Sequence, residues 1–184
     1  MKNLVNLSQL SPWSRHLLNC IVMAASVMIC AMVLPSRLPG MELIGIAPNW
    51  FLIWVVAWSV KRSAFQGAIA GLVLGMIQDG MTASEPTHVL GLALVGILTA
   101  RIQKQRFIQE DFISVALIVF AMAIVGETVT AIQYSLLGDR NLADIWLDHQ
   151  RLALSSAILS SLWAPVLYYP LNLWWEKLKF IEQS

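Results

Sequence analysis

Residues 48–80 read PNWFLIWVVAWSVKRSAFQGAIAGLVLGMIQDG and contain two apolar runs separated by a short basic turn. Lys61 and Arg62 form this turn, and the second run carries glycine at every fourth position. Apolar runs that are bounded by charged or glycine-containing breakers are typical of helices that cross a membrane. We therefore predict two consecutive membrane helices here, over residues 43–60 and 64–78.

The rest of the chain has the same apolar character. Of its 184 residues, 58% are hydrophobic and only 12% are charged, whereas soluble domains carry roughly 25% charged residues. The formal net charge of +1 gives no reason to expect nucleic acid as a partner. We predict an all-α membrane protein, a six-helix transmembrane bundle that forms a single integral membrane domain over residues 1–184. Its expected spans are residues 17–34, 43–60, 64–78, 87–100, 112–137 and 152–175.

Pro48, inside the second predicted span, and the loop before the sixth span carry structural signals of their own. Pro48 lacks a backbone N–H, so the second span either begins near Asn49 or enters the membrane as a kinked or partly re-entrant piece. The loop before the sixth span places Leu142, Ile145 and Trp146 at helical spacing among acidic residues. This pattern predicts a short interfacial helix that lies along the membrane surface.

Lysine and arginine determine the expected orientation. If the amino terminus lies inside, nine of the 12 basic residues fall on the cytoplasmic side and three fall on the outer side. The nine are Lys2, Arg15, Lys61, Arg62, Arg101, Lys104, Arg106, Lys177 and Lys179, and the three are Arg37, Arg140 and Arg151. Because positive residues favour the cytoplasmic side of short loops, we predict that the N-terminus and the C-terminus are both cytoplasmic.

Two features predict close contacts between helices. Gly67, Gly71 and Gly75 recur every four residues, which places them on one stripe and lets another backbone approach closely. That backbone belongs either to another helix of this bundle or to a partner membrane protein. Trp54 and Trp58 share one face of the second span, where they contact lipid, a neighbouring helix or a partner.

Glu127 is the one acidic residue that lies well inside an apolar segment. A charge at that depth costs roughly 2.5 kcal/mol or more on insertion scales, so the carboxylate is expected to be protonated, paired or in a wet cavity. Gln78 and Asp79, at the outer end of the third span, lie near Glu127 if the two helices are neighbours. Three interpretations stay open, namely a structural polar cluster, a contact with a partner, and a path for a ligand or ion.

The sequence has no motif that indicates catalysis, a metal site or a cofactor. His16, His88 and His149 fall in separate segments without metal-ligand spacing. Cys20 and Cys30 lie roughly 15 Å apart along one predicted helix, too far for a disulfide. The serines of the sixth span have no predicted base nearby, and no phosphate-binding G-x-x-x-x-G-K loop occurs. We therefore expect a protein that is not an enzyme.

The order of features between residues 46 and 100 resembles the MreD family of rod shape-determining proteins. The resemblance rests on Pro48-Asn49-Trp50, the basic turn, the glycine series and Gln78-Asp79-Gly80. In that family a proline and a small polar or acidic residue open the second span, and a glycine-rich third span ends in an aspartate. Asn49 stands where many members have aspartate, so a role that depends on charge is not carried over to this position.

The resemblance implies a multipass scaffold in the bacterial inner membrane that regulates cell shape. Such a protein is expected to bind the bitopic protein MreC and, through it, to link MreB filaments to the enzymes of peptidoglycan synthesis. The family is also similar in architecture to the substrate-binding S-components of vitamin transporters. The alternative function is therefore a transporter subunit that holds a small molecule with Glu127 and the outer loops. A pocket beside Glu127 would distinguish this alternative from the scaffold.

We expect reporter domains fused after Arg62, Arg106 and Ser184 to lie in the cytoplasm, and those fused after Glu85 and Asn141 to lie outside. The physical reason is the nine-to-three division of basic residues between the two sides. Alkaline phosphatase and fluorescent-protein fusions measure the two locations. A cytoplasmic signal after Glu85 would contradict the topology with six spans.

Overall fold

The computed structural model describes residues 12–36, 41–43, 45–82, 86–104, 112–138 and 141–183. Within these ranges the chain forms α1 Pro12–Val33, α2 Trp50–Ser59, α3 Ala64–Met81, α4 His88–Lys104, α5 Phe112–Leu137 and α6 Leu142–Gln183. Three of these helices contain segments long and apolar enough to cross a membrane, namely Trp13–Val33, Ile113–Leu137 and Leu142–Phe180. The prediction of an all-helical membrane bundle is confirmed.

The second helix is shorter than its apolar segment. The sequence predicts a span over residues 43–60, but the chain is helical only for the ten residues of α2. The side-chain oxygen of Asn49 accepts a hydrogen bond from the N–H of Leu52 at 3.0 Å and caps the helix, so the span begins just after Pro48. Ten residues extend about 15 Å, roughly half the thickness of the hydrocarbon core of a bilayer. The N-terminal end of α2 is therefore expected to lie at membrane depth.

This short helix lies in the middle of the bundle. It contacts each of the other five helices, and Phe51, Ile53, Val55 and Val56 are completely buried. A helix that is apolar on every side is stable only when other elements surround it. α3 with α4, and α5 with α6, form the two most closely packed pairs in the bundle.

α3 and α4 approach each other through the glycine stripe. The contacts join Gly67 to Gly96, Gly71 to Leu92, and Gly75 to Val89. A Cβ added at Gly75 would lie 2.5 Å from the Cα of Val89, and a Cβ added at Gly71 would overlap the carbonyl of Leu92. The stripe is thus occupied by another helix of the same bundle, and even a methyl group does not fit there.

α6 joins two segments that the sequence analysis treats as separate. The predicted interfacial helix and the predicted sixth span, residues 152–175, belong to one helix of 42 residues. No proline or glycine lies between the two segments, so backbone hydrogen bonding continues from one to the other. At about 1.5 Å per residue α6 is roughly 63 Å long, so part of it extends beyond the hydrocarbon core. Pro165 and Pro170 each remove one backbone hydrogen bond within it.

α1 packs loosely against the rest of the bundle. Of the other described helices, α1 contacts only α2 extensively. Side chains such as Met28 are exposed on its surface. Two indole N–H groups attach it: Trp54 Nε1 donates to Ser26 Oγ at 2.8 Å, and Trp174 Nε1 donates to Asn19 Oδ1 at 3.2 Å. These two hydrogen bonds add to the apolar packing of α1 residues such as Met23 and Val27 against the core.

We expect Gly71→Ala and Gly71→Leu to destabilise the protein, the second more than the first, because the new Cβ meets the backbone of Leu92. Overpacking of this kind costs typically about 1–3 kcal/mol. Gly80→Ala is the matched control, since Gly80 lies in the same helix and an added Cβ there has no neighbour within 4 Å. Thermal unfolding in mild detergent measures the difference. Equal unfolding temperatures for the two alanine variants would contradict the close approach of α3 and α4.

Candidate functional site

A polar cavity of about 340 Å³ lies beyond the N-terminal end of α2. Five helices, α2 to α6, and the segment that leads into α2 contribute to its lining. The polar side chains of this lining are Asn49, Gln78, His88, Glu127, Thr130, Tyr134 and Ser156. The predicted span begins at residue 43, but α2 begins only at Trp50. No helix of the described chain therefore fills the space before the first turn of α2, and polar groups of the surrounding helices line that space.

Gln78 and Glu127 line this same cavity. Gln78 is only 6% exposed, and its side-chain oxygen has no hydrogen-bond partner among the described residues. Leaving a buried acceptor unsatisfied costs about 1–3 kcal/mol. The Glu127 carboxylate interacts with the hydroxyl of Ser156 and with His88. The cavity lining therefore includes a carboxylate, whereas the unpaired oxygen of Gln78 is closed off from the open space.

Asp79 is not in the lining, but it holds one wall of the cavity in place. Its carboxylate accepts hydrogen bonds from the hydroxyl of Thr87 and, at 2.8 Å, from the backbone N–H of His88. The ring Nδ1 of His88 lies 2.7 Å from the same carboxylate. These contacts satisfy one of the free N–H groups at the start of α4, that of His88, and hold the His88 ring, which lines the cavity. Asp79 thus positions a lining residue.

Asn49 connects α2 to α6. Its backbone N–H donates to Ser160 Oγ at 3.0 Å, while its side chain caps α2. Asparagine and aspartate cap helices about equally well. The cap of α2 therefore needs no charge at position 49.

A smaller cavity of about 170 Å³ adjoins the first. The side chains that line both cavities are Glu127, Thr130, Tyr134 and Leu152, and those that line only the smaller one include Asp148 and His149. Among the described residues, neither lining contains a lysine or an arginine. Glu127 therefore stands between two adjoining cavities whose fixed charges are carboxylates.

An apolar groove of about 550 Å³ runs between α1 and α3. Trp54 and Trp58 of α2 form its floor, and their rings stack with centroids 5.6 Å apart at an interplanar angle of 13°. The guanidinium carbon of Arg62 lies 4.4 Å from the centroid of the Trp58 ring, which holds that ring in place. The apolar walls consist of Met23, Ala24, Val27, Met28, Ile69, Ala70, Val73, Leu74 and Ile77.

The glycine stripe and the tryptophans do not form one surface. Their spacing in the sequence predicts a helix-packing or partner face for both. In the structure Gly67, Gly71 and Gly75 contact α4, whereas Trp54 and Trp58 line the groove. Of the two features, only the tryptophans adjoin open space.

His88, Tyr134 and Ser156 are cavity residues that the sequence analysis did not select. His88 follows Asp79 by nine residues, and this short separation between two predicted spans is a signal that the two side chains meet. No comparable signal exists for Tyr134 and Ser156, because their proximity depends on how α5 and α6 pair. Within the ranges that the structure describes, no three His, Cys, Asp or Glu side chains are grouped as a metal site.

The apolar helices and the buried central helix define the class of the protein, a helical integral membrane protein of the bundle type. The family model for the rod shape-determining protein MreD matches residues 14–178, nearly the whole chain, so the chain belongs to the MreD family. Membership of this family implies a role in determining rod shape. No curated protein and no solved structure matches the chain, and the architectural similarity to S-components stays a prediction.

Proposed function

We propose that this protein is a multipass scaffold of the rod-shape machinery in the bacterial inner membrane. It binds the membrane helix of MreC and thereby links MreB filaments to the enzymes of peptidoglycan synthesis. Membership of the MreD family supports a role in cell shape. The single observation that supports helix binding is the apolar groove between α1 and α3.

The groove has the dimensions of a contact between helices. Its wall on α3 extends from Gln66 to Ile77, which corresponds to roughly 17 Å along the helix axis, or three turns. Ala24 on one wall and Ala70 on the other let a third backbone approach closely. Gln66 has the one amide group in the described lining, and the other side chains there are aliphatic, aromatic or methionine. An apolar helix matches this surface.

The structure of the groove also favours a partner helix over lipid alone. In a bilayer the hydrophobic effect does not drive helices together, so close packing decides whether they associate. The stacked rings of Trp54 and Trp58 are rigid, and a preorganised surface loses little conformational freedom when a partner binds. Since α1 is attached mainly through α2 and two indole N–H groups, the width of the groove can adjust to the partner.

The expected orientation agrees with this function. Basic residues dominate the predicted cytoplasmic segments, whereas the predicted outer segments carry acidic residues such as Glu42, Asp144 and Asp148. The outer segments can therefore contact the extracytoplasmic part of MreC. The connections between the helices are too short for a soluble reaction domain, which supports a binding role over an enzymatic one.

Val73→Trp is expected to fill the groove, to weaken the copurification of MreC severalfold and to produce rounded cells. Ile132→Trp, on α5, is the matched control because Val73 and Ile132 are both 47% exposed. We expect this control to leave MreC binding and cell shape unchanged. Affinity purification and microscopy measure the two effects in variants that accumulate to equal levels. Normal MreC binding by the Val73→Trp variant would reject the groove as the docking site.

A second candidate function is the binding of a small molecule, as in the S-components of vitamin transporters. The observation that favours it is the cavity beside Glu127, which a transporter subunit requires and a scaffold does not. The two functions use different surfaces, because the groove and the cavity have no lining residue in common among those described. Experiments can therefore separate them.

Depletion of the protein from its native cell distinguishes the two functions. A scaffold predicts rounded or swollen cells and a dispersed elongation complex, with normal vitamin uptake. Glu127→Gln should preserve cell shape, since glutamine keeps hydrogen bonding and removes only the charge. Microscopy and the uptake of labelled vitamins provide the measurements. Rod-shaped cells that have lost vitamin uptake would reject the scaffold in favour of the transporter subunit.

A further inference from the structure

The groove between α1 and α3 has the length of one bilayer leaflet. Its wall on α3, from Gln66 to Ile77, extends roughly 17 Å along the helix axis, and the hydrocarbon core of a bilayer is about 30 Å thick. Gln66 lies in the first turn of α3, directly after the basic turn that is expected to be cytoplasmic. The groove therefore lies beside the cytoplasmic leaflet, where one acyl chain matches both its length and its apolar walls.

Arg62 adds a positive charge at the cytoplasmic end of this groove. Its guanidinium carbon lies 4.4 Å from the centroid of the Trp58 ring, which forms part of the groove floor. Within the described chain no carboxylate forms an ion pair with Arg62, whereas Lys61 is paired with Glu176 at 3.8 Å. A guanidinium that lies over an aromatic ring keeps N–H donors that suit the oxygens of a phosphate group. The end of the groove therefore offers a group that binds anions.

The neighbouring side chains place Arg62 at the level of the lipid headgroups. The rings of Trp58 and Trp175 meet edge to face with centroids 5.7 Å apart, and tryptophan favours the boundary between headgroups and hydrocarbon. The side chain of Glu176, which follows Trp175, is 55% exposed. Because a charge in hydrocarbon is costly, this end of α6 lies in a hydrated layer. The phosphate of a lipid lies at the same depth, and an acyl chain attached to it extends along the groove.

We infer that, in the absence of MreC, the groove holds one anionic phospholipid of the cytoplasmic leaflet. The phosphate of this lipid accepts hydrogen bonds from Arg62, and one acyl chain lies over Trp54 and Trp58, between α1 and α3. The lipid is anionic because a zwitterionic headgroup carries its own ammonium group, which Arg62 and the exposed Lys177 repel. The charge and the groove together select a ligand with a negative head and an apolar chain.

This inference rests on the proposed function in one respect, namely that the helix of MreC occupies the same groove and displaces the lipid. In a bilayer an apolar groove of about 550 Å³ is filled by lipid chains until a partner helix packs there. A lipid that is also held by its headgroup makes this exchange dependent on lipid composition. MreC binding should therefore weaken as the fraction of anionic lipid rises.

The direct test measures the lipids that stay bound to the full chain in mild detergent, with native mass spectrometry as the readout. Phosphatidylglycerol and phosphatidylcholine with identical acyl chains are the probes, and they differ in net headgroup charge. We expect phosphatidylglycerol to bind saturably and about fivefold or more tightly, the factor expected of one basic residue at an anionic membrane surface. Equal binding of the two lipids would overturn the inference.

Variants of Arg62 test the headgroup contact. Arg62→Gln is expected to remove the preference for phosphatidylglycerol, because glutamine stays polar but carries no charge. Arg62→Lys keeps the charge and should keep most of the preference, which separates the charge from the packing of the guanidinium on Trp58. Arg101→Gln is the matched control, since Arg101 is an exposed arginine near the expected cytoplasmic end of α4 and does not line the groove. An equal loss in the Arg62→Gln and Arg101→Gln variants would indicate general surface charge and overturn the inference.

Val73→Trp tests the position of the acyl chain. Filling the groove should lower phosphatidylglycerol binding severalfold, whereas Ile132→Trp, at a position of equal exposure on α5, should leave it unchanged. Unchanged lipid binding by the Val73→Trp variant would place the lipid outside the groove and overturn the inference, whatever this variant does to MreC.

Competition between MreC and the lipid separates this inference from the proposed function. Full-length MreC is added to the natural protein with phosphatidylglycerol bound, and we expect it to release the lipid as it binds. If MreC binds while the lipid stays, the competition is overturned, and the Val73→Trp variant shows which of the two occupies the groove. Lipid binding without headgroup selectivity, together with MreC binding that Val73→Trp weakens, overturns the inference and leaves the docking site intact. Selective lipid binding that Val73→Trp removes, together with unchanged MreC binding, rejects the docking site and supports the lipid site.

Discussion

The burial of a ten-residue helix over nearly its whole surface is the constraint on which the rest of the structure depends. Lipid offers no hydrogen bonds to a helix end, so the N–H groups of the first turn of α2 must be satisfied by protein or by a hydrated space. Asn49 satisfies one of these groups through its side chain. The helices around α2 therefore place polar residues beside its N-terminal end and apolar residues along the rest of it.

Both candidate sites follow from this arrangement. Beyond the N-terminal end of α2, no helix of the described chain lies at the centre of the bundle, and polar side chains converge there together with leucines such as Leu52 and Leu92. Towards the opposite end of α2, the stacked tryptophans form the floor of the groove between α1 and α3. One short helix thus separates a cavity with a partly polar lining from an apolar groove.

The sequence predicted much of this structure where the signal was local. The close approach at Gly71 follows from spacing, and the described residues form six helices, as many as the spans that hydropathy predicts. The second span was predicted too long because its apolar lead-in, residues 43–49, resembles helix in hydropathy although Pro48 and the capped Asn49 delay the first turn. The sequence did not predict Ser156 as a cavity residue. Its neighbours depend on how the helices pair, and the periodicity of a sequence gives no information about that pairing.

The attachment of α1 has a consequence for biosynthesis. Asn19 and its partner Trp174 are separated by 155 residues, so this contact forms only when nearly the whole chain has been made. Chains fold from the N-terminus during synthesis, and contacts between distant residues close late. One wall of the groove is therefore fixed last, after the central helix has been enclosed. A nascent chain that lacks its final helix still contains the tryptophan floor, but it lacks the finished docking surface.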